Sequence, residues 1–326
     1  MFRKNTVPRE PSTVDVGVEE KFYRDGELNV DEEITELEKT FARSVNQVRQ
    51  LHDGSKITDG TLIEFIVNLT MRTKHLRDSL IDIGEFAVDK ILGHFCDYQN
   101  AREFCIKLLT HQRDVLIKAS EEHVKKVKPG LFTTLVGLAI VRYAPAKLLV
   151  RLLDSSIVEI VEAIQSQRAE ITQSLDQIVK QAHIKTLLKN LVPEPRVDYY
   201  NQLYWYVRRS TEPLILGDVC CLFRVANSRY VSIAGPADGL DRVYLPIASD
   251  CVVVGSPKDE VPDIKVSELN EASARVSRNF FISAISSDEM IRLSNFIDTE
   301  ADVLTGAEME EIITEVLSEP FSNGRK

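Results

Sequence analysis

One stretch constrains this chain more than any other. Residues 212–255 read EPLILGDVCCLFRV, a short turn, RYVSIAG, a polar loop, then VYLPIASDCVVVGS. This is the only dense run of β-branched and aromatic residues in the sequence, and it is punctuated by Gly and Asp as strands are. Nearly everything before it carries apolar residues at helical spacing.

Ile34, Leu37, Phe41, Val45 and Val48 fall on one helical face. Glu32, Glu33, Glu36 and Glu38 lie near its start, where the helix dipole favours anions. The pattern stops around His52-Asp53-Gly54, and Thr58-Asp59-Gly60 supplies a cap for the next helix. Leu62, Phe65, Ile66, Leu69, Leu76, Leu80 and Ile83 continue that second stripe, which extends towards Leu92. Further helices are expected over about residues 99–126, over 132–153 with an interruption near Pro145, and over 155–191. Pro193 and Pro195 then give the clearest domain punctuation. Beyond the β block, helices are expected over 267–277, 288–297 and 307–317, with a strand over 279–285. The patterns Ser286…Glu289 and Thr305…Glu308 read as capping boxes.

These elements predict an α+β fold: an N-terminal helical bundle, then a mostly antiparallel β-sheet packed with C-terminal helices. The expected division is an extended arm over residues 1–29, a helical bundle over 30–192 and an α+β sheet region with an acidic C-terminal helix over 193–326. In the arm, Lys21-Phe22-Tyr23 before Asp25-Gly26 reads as a strand or anchor ending in a turn. Expected strands are 214–216, 219–225, 230–233, 252–254 and 280–284.

Composition narrows the function classes. With 44% hydrophobic and 28% charged residues among 326, the chain can bury a core without disulfide or metal staples. Its formal net charge of -10 disfavours a protein that coats nucleic acid through a global basic field. The five cysteines are odd in number, and Cys220, Cys221 and Cys251 sit in apolar runs, where a thiol behaves as a small hydrophobe. The opening MFRKNTVPREPST is polar and lacks a signal-peptide pattern, so a reducing cytoplasmic setting is expected. Residues 131–141, LFTTLVGLAIV, are too short to span a bilayer and read as a buried helix, so no membrane role is expected. Neither a P-loop, a G-x-G-x-x-G nor a G-x-S-x-G occurs, which argues against the common ATP, GTP, NAD and serine-hydrolase routes.

The polar residues that could carry chemistry lie at strand ends. Asp218 and Asp250 close the apolar runs LILGD and LPIASD. An acid there can enter a cleft and hold a hard cation such as Mg or Mn, or act as a base. It can equally cap its own turn, which Asp does readily. Glu212 joins them as a third carboxylate in the catalytic reading. Arg72, within Arg72-Thr73-Lys74-His75 and followed by Arg77, could clamp a phosphate or carboxylate. The apolar stripe through Leu69 and Leu76 favours an internal ion pair with one of those aspartates instead. His94-x-Cys96 with Cys105 does not match a zinc-site spacing. The lysines 125, 126 and 128, beside His123, have a ready explanation as cations at a helix C-terminus.

Several pieces taken in order carry a resemblance: KFYRDGELNVDEEITELE, EFIVNLTMRTKHLR, EPLILGDVCC, YLPIASDCVVV and VSELNEASARVSRNFFIS. Spread from about residue 18 to 297, they resemble the prokaryotic family known as domain of unknown function 4238. The chain departs from that pattern in having no histidine before His52, and Val219-Cys220 where Asn-Pro is more usual. The resemblance implies no activity. It draws attention to Asp218, to Arg72 in the Arg-Thr piece, and to Asn270 in the last piece, the latter two as candidate ligand-binding residues.

Two function classes follow. The first is a non-enzymatic bacterial subunit or regulator, in phage defence or a stress response, that needs no cofactor and binds a protein partner or a second copy. Its support is the amphipathic helical content, the aromatic run over 199–206 and the acidic last helix with Glu308, Glu310, Glu311 and Glu315. The alternative is a cation-dependent hydrolase or nuclease using Asp218, Asp250 and Glu212, with Arg72 on a phosphate.

Overall fold

The computed structural model describes residues 1–10, 23–25, 28–111, 113–114, 117–118, 142–234 and 239–318. The expected core helix over 131–141, the lysine patch near 125 and the loop over 235–238 lie outside them. The fold is α+β, with a six-stranded, wholly antiparallel sheet.

The chain opens with residues that anchor rather than wander. Phe2 exchanges backbone hydrogen bonds with Phe281 and stacks on its ring at 5.1 Å. Tyr23 donates its hydroxyl to the carbonyl of Arg72 (3.1 Å) just before the short hairpin β1 (Arg24–Asp25) and β2 (Leu28–Asn29). Helix α1 (Asp31–Val48) carries Asp31, Glu32 and Glu33 in its first turn and buries Ile34, Phe41 and Val48, as the stripe predicts. After β3 (Lys56–Ile57), Asp59 caps α2 (Gly60–Met71) by accepting from the Thr61 amide at 2.9 Å. The second stripe is broken at Arg72-Thr73, and α3 (Lys74–Phe95) begins anew.

Helices α4 (Tyr98–His111) and α5 (Ala146–Lys189) follow. Most of the stretch over 155–191, expected as one helix or two, lies in a single helix of 44 residues that also takes in 146–153. Pro193 starts the short α6 (Glu194–Tyr200), and the aromatic run continues as strand β4 (Tyr204–Arg209), which the sequence reading did not assign. Then come β5 (Leu216–Gly217), β6 (Leu222–Arg224), β7 (Tyr230–Val231), β8 (Arg242–Ala248), β9 (Cys251–Ser256), α7 (Val266–Val276), β10 (Phe281–Ile282), α8 (Asp288–Ser294) and α9 (Gly306–Ser318). The cap of α8 is Ser287, one residue later than the capping-box pattern; it accepts from the Met290 amide.

The main sheet runs β3-β4-β9-β8-β6-β7, while β5 pairs with β10 in a separate two-stranded sheet. Strand alternation divides the core. Val253, Leu245, Val243, Phe223, Trp205 and Val207 face one way, against α1, α2 and α6. Tyr244, Val252, Val254 and Leu222 face the other way, against Leu269, Ala272 and Val276 of α7. Both faces are therefore covered, which is why the β block reads as continuous apolar runs. Trp205 lies directly over Gly255, where an added Cβ would meet its ring at 2.8 Å.

The chain forms two compact units. One comprises residues 1–82 and 177–305, the other 83–176 and 306–326. This division does not coincide with the Pro193 punctuation, because α1 and α2 pack on a sheet whose strands, β3 apart, follow them by more than a hundred residues of sequence. In the helical unit, Arg102 pairs with Asp154 (2.6 Å) and Lys90 with Glu310 (2.8 Å). No helix among the described residues is long and apolar enough to cross a membrane. All five cysteines are free thiols.

Candidate functional site

Asp218, Asp250, Glu212, Arg72 and Asn270 all fall in the sheet-bearing unit, but their side chains have separate partners. Asp218 is half-buried in the turn after β5. Its two carboxylate oxygens accept the backbone N–H groups of Arg278 (3.0 Å) and Asn279 (2.6 Å), while its own amide donates to the Phe280 carbonyl (3.1 Å). It thus fastens β5 to the segment that enters β10. Burial pushes its carboxyl above the usual Asp range, against the opposing pull of those amides.

Asp250 lies in the tight turn between β8 and β9. Its carboxylate is exposed and pairs with Arg209 Nη1 at 2.9 Å. Arg209 in turn donates to the Leu51 carbonyl (3.1 Å) and the Arg49 carbonyl, and its amide donates to Asp53 (2.7 Å). Asp250 therefore orients an arginine that pins the end of α1 to the sheet. Glu212 is exposed, and its backbone N–H bonds Ser210 Oγ at 2.9 Å. Among the described residues there is no group of three His, Cys, Asp or Glu side chains placed to hold a metal ion.

Arg72 pairs with the half-exposed Glu38 of α1 (2.5 Å), not with Asp218 or Asp250 as expected. Its Nη1 is buried and has no hydrogen-bond partner among the described residues. Asn270 of α7 is buried and uses both ends of its amide. It accepts from the Ile215 N–H (3.0 Å) and donates to the Pro213 carbonyl (2.8 Å), holding the approach to β5 in register.

Two arrangements were not visible in the sequence. In the first, His75 Nε2 lies 2.9 Å from Ser232 Oγ, with both side chains buried. Burial, then the nearby Arg278 charge, lowers the imidazole pKa to about 4, so it is neutral. Neither side chain lines a cavity described here.

The second is a cavity of about 450 Å³. It opens where the core clusters meet: Leu245 and Ile247 come from one face of the sheet, Leu214 from the other, and Ile215 from the cluster around Phe281. Phe65 and Leu69 of α2 close it from the helical side. Cys220 also lines it, with a left-handed φ of 60° that costs a non-glycine residue about 1–3 kcal/mol. Burial, reinforced by the Asp218 charge, pushes its thiol up to about 11, so it is protonated and unreactive.

The one charged residue on the lining is Arg49, at the end of α1. Strand β8 bulges between Pro246 and Ala248, and the carbonyl of the bulged Ile247 accepts Arg49 Nε at 2.7 Å. Bulges re-aim neighbouring groups, and this one fixes the guanidinium at the rim. The sequence signal for Arg49 was nil, since a cation ending a helix is commonplace. No family model matches the chain, and no curated protein or solved structure matches it either.

Proposed function

We propose that this chain is a non-enzymatic, partner-binding subunit or regulator of the bacterial cytoplasm, serving phage defence or a stress response. The observation that carries the reading is the commitment of its strand-end carboxylates. Asp218 is spent on two backbone amides and Asp250 on Arg209. A general base or a metal ligand needs lone pairs facing a common cleft, whereas a binding module needs only that its turns hold.

Exposure gives further support. Among the glutamates of α9, Glu310, Glu311 and Glu315 are exposed, beside the exposed Ile312. On α5, Leu148, Leu152 and Val158 are exposed. Mixed apolar and acidic surface of this kind suits a protein partner or a second copy. The aromatic run lends less, because Tyr200, Trp205 and Tyr206 are core residues.

The test is a pull-down from the native host with wild type and Asp218→Ala, alongside cleavage assays with Mg and Mn. The reading expects one partner held by both folded proteins and no cleavage. Absence of a stable partner, together with cation-dependent cleavage lost in Asp218→Ala, would replace it with a hydrolase or nuclease.

A further inference from the structure

We propose that the cavity beside the β8 bulge binds a small amphipathic carboxylate: a hydrocarbon body in the apolar interior and one carboxylate on Arg49. This goes beyond partner binding and stands whether or not that reading holds.

Three features of the site point to this chemistry. The volume, about 450 Å³, lies in the range of small-molecule sites rather than packing defects. The lining is mostly aliphatic and aromatic with a protonated thiol, and Ser249 and Ser283 are its only hydroxyls, so it rewards hydrocarbon and penalises polar groups that find no partner. Arg49 is the one charged residue on the lining. Arg49 Nε is taken by the Ile247 carbonyl, but no ion pair and no bond from its terminal nitrogens occurs among the described residues. The nearby carboxylates are otherwise engaged, Asp53 by Arg208 (2.9 Å) and Asp250 by Arg209 (2.9 Å). A guanidinium held by its Nε presents its remaining N–H fork in a fixed direction, the geometry that suits a carboxylate. A neutral hydrocarbon would leave this fork unused, and a dianion would find no second cation on the lining.

The placement of Arg49 is itself supported by a chain of contacts. Asp250 holds Arg209, Arg209 bonds the carbonyls of Arg49 and Leu51, and the bulge carbonyl meets the side chain.

Calorimetric titration of the full chain with decanoate, decanol and decylammonium, each below its micelle-forming concentration, tests the proposal. Folding of each variant is checked by circular dichroism. Wild type should bind a single decanoate about fivefold more tightly than decanol, and decylammonium more weakly still. Arg49→Gln should bring decanoate to the level of decanol and leave decanol unchanged. Ala248→Phe, which fills the cavity, should remove both; if it does not fold, Leu69→Phe takes its place. The proposal is overturned if folded wild type binds no decanoate, or binds decylammonium as tightly as decanoate. It is equally overturned if Arg49→Gln keeps wild-type selectivity or the filled cavity keeps wild-type affinity.

Discussion

Gly217-Asp218 and Ser249-Asp250 are nearly the same phrase in the sequence, an apolar strand followed by a small residue and an acid. The structure gives them opposite surroundings. Asp218 lies inward, facing two backbone donors from another segment, and its carboxyl is pushed up by burial. Asp250 lies outward on a hairpin turn and meets only a side-chain cation. The depth of a turn and the number of amides facing it decide what an aspartate does. Neither is a property of the local sequence.

The largest expected difference is in deletion of the carboxylate. Asp218→Ala leaves the amides of Arg278 and Asn279 without their acceptor, at a cost of about 3 kcal/mol. Urea denaturation would read this as a lowered midpoint with unchanged slope. A cost near zero would mean that water replaces the carboxylate freely.

The small residue before each acid sharpens the contrast. A Cβ on Gly217 would overlap the Ser277 hydroxyl and approach the Ser273 carbonyl at 3.3 Å. Gly217→Ala should therefore cost about 2 kcal/mol through overpacking. Ser249 is exposed, so Ser249→Ala should stay within about 0.5 kcal/mol. Equal effects at the two positions would break the comparison.

Asp250→Ala comes next in size. An exposed ion pair is worth at most about 1 kcal/mol, and the effect should shrink as salt is added. A large, salt-independent loss would mean that the pair behaves as a buried one.

Asp218 also carries a pH dependence. With its folded pKa raised, Asp218 contributes stability that is complete below its unfolded pKa of about 3.9. That contribution is lost as pH rises through the folded value. Asp218→Asn should flatten this fall, and denaturation midpoints across the acidic range would show whether it does.

Much of the fold was legible because it rests on periodicity. The stripes of α1 and α2, the Asp59 cap and the β character of the block all follow from spacing and residue type. Strand β4 was not legible, since Tyr204, Trp205 and Tyr206 are apolar on both sides and carry no alternation. The packing of α1 and α2 on the sheet was equally hidden, because a helical stripe says that a face is buried but not against what. Arg72 was expected to pair with an aspartate, but its partner is Glu38, 34 residues away in the chain on another helix. Arg49 acquires its place only from a bulge in a strand far from it in sequence.

The central claim, that Asp218 is a structural cap rather than a metal ligand, is tested most directly by melting wild type and Asp218→Ala with and without Mg and Mn. The account predicts a lower Tm for the variant and no shift of either protein with either cation. A rise in the wild-type Tm with Mg or Mn that disappears in Asp218→Ala would contradict it.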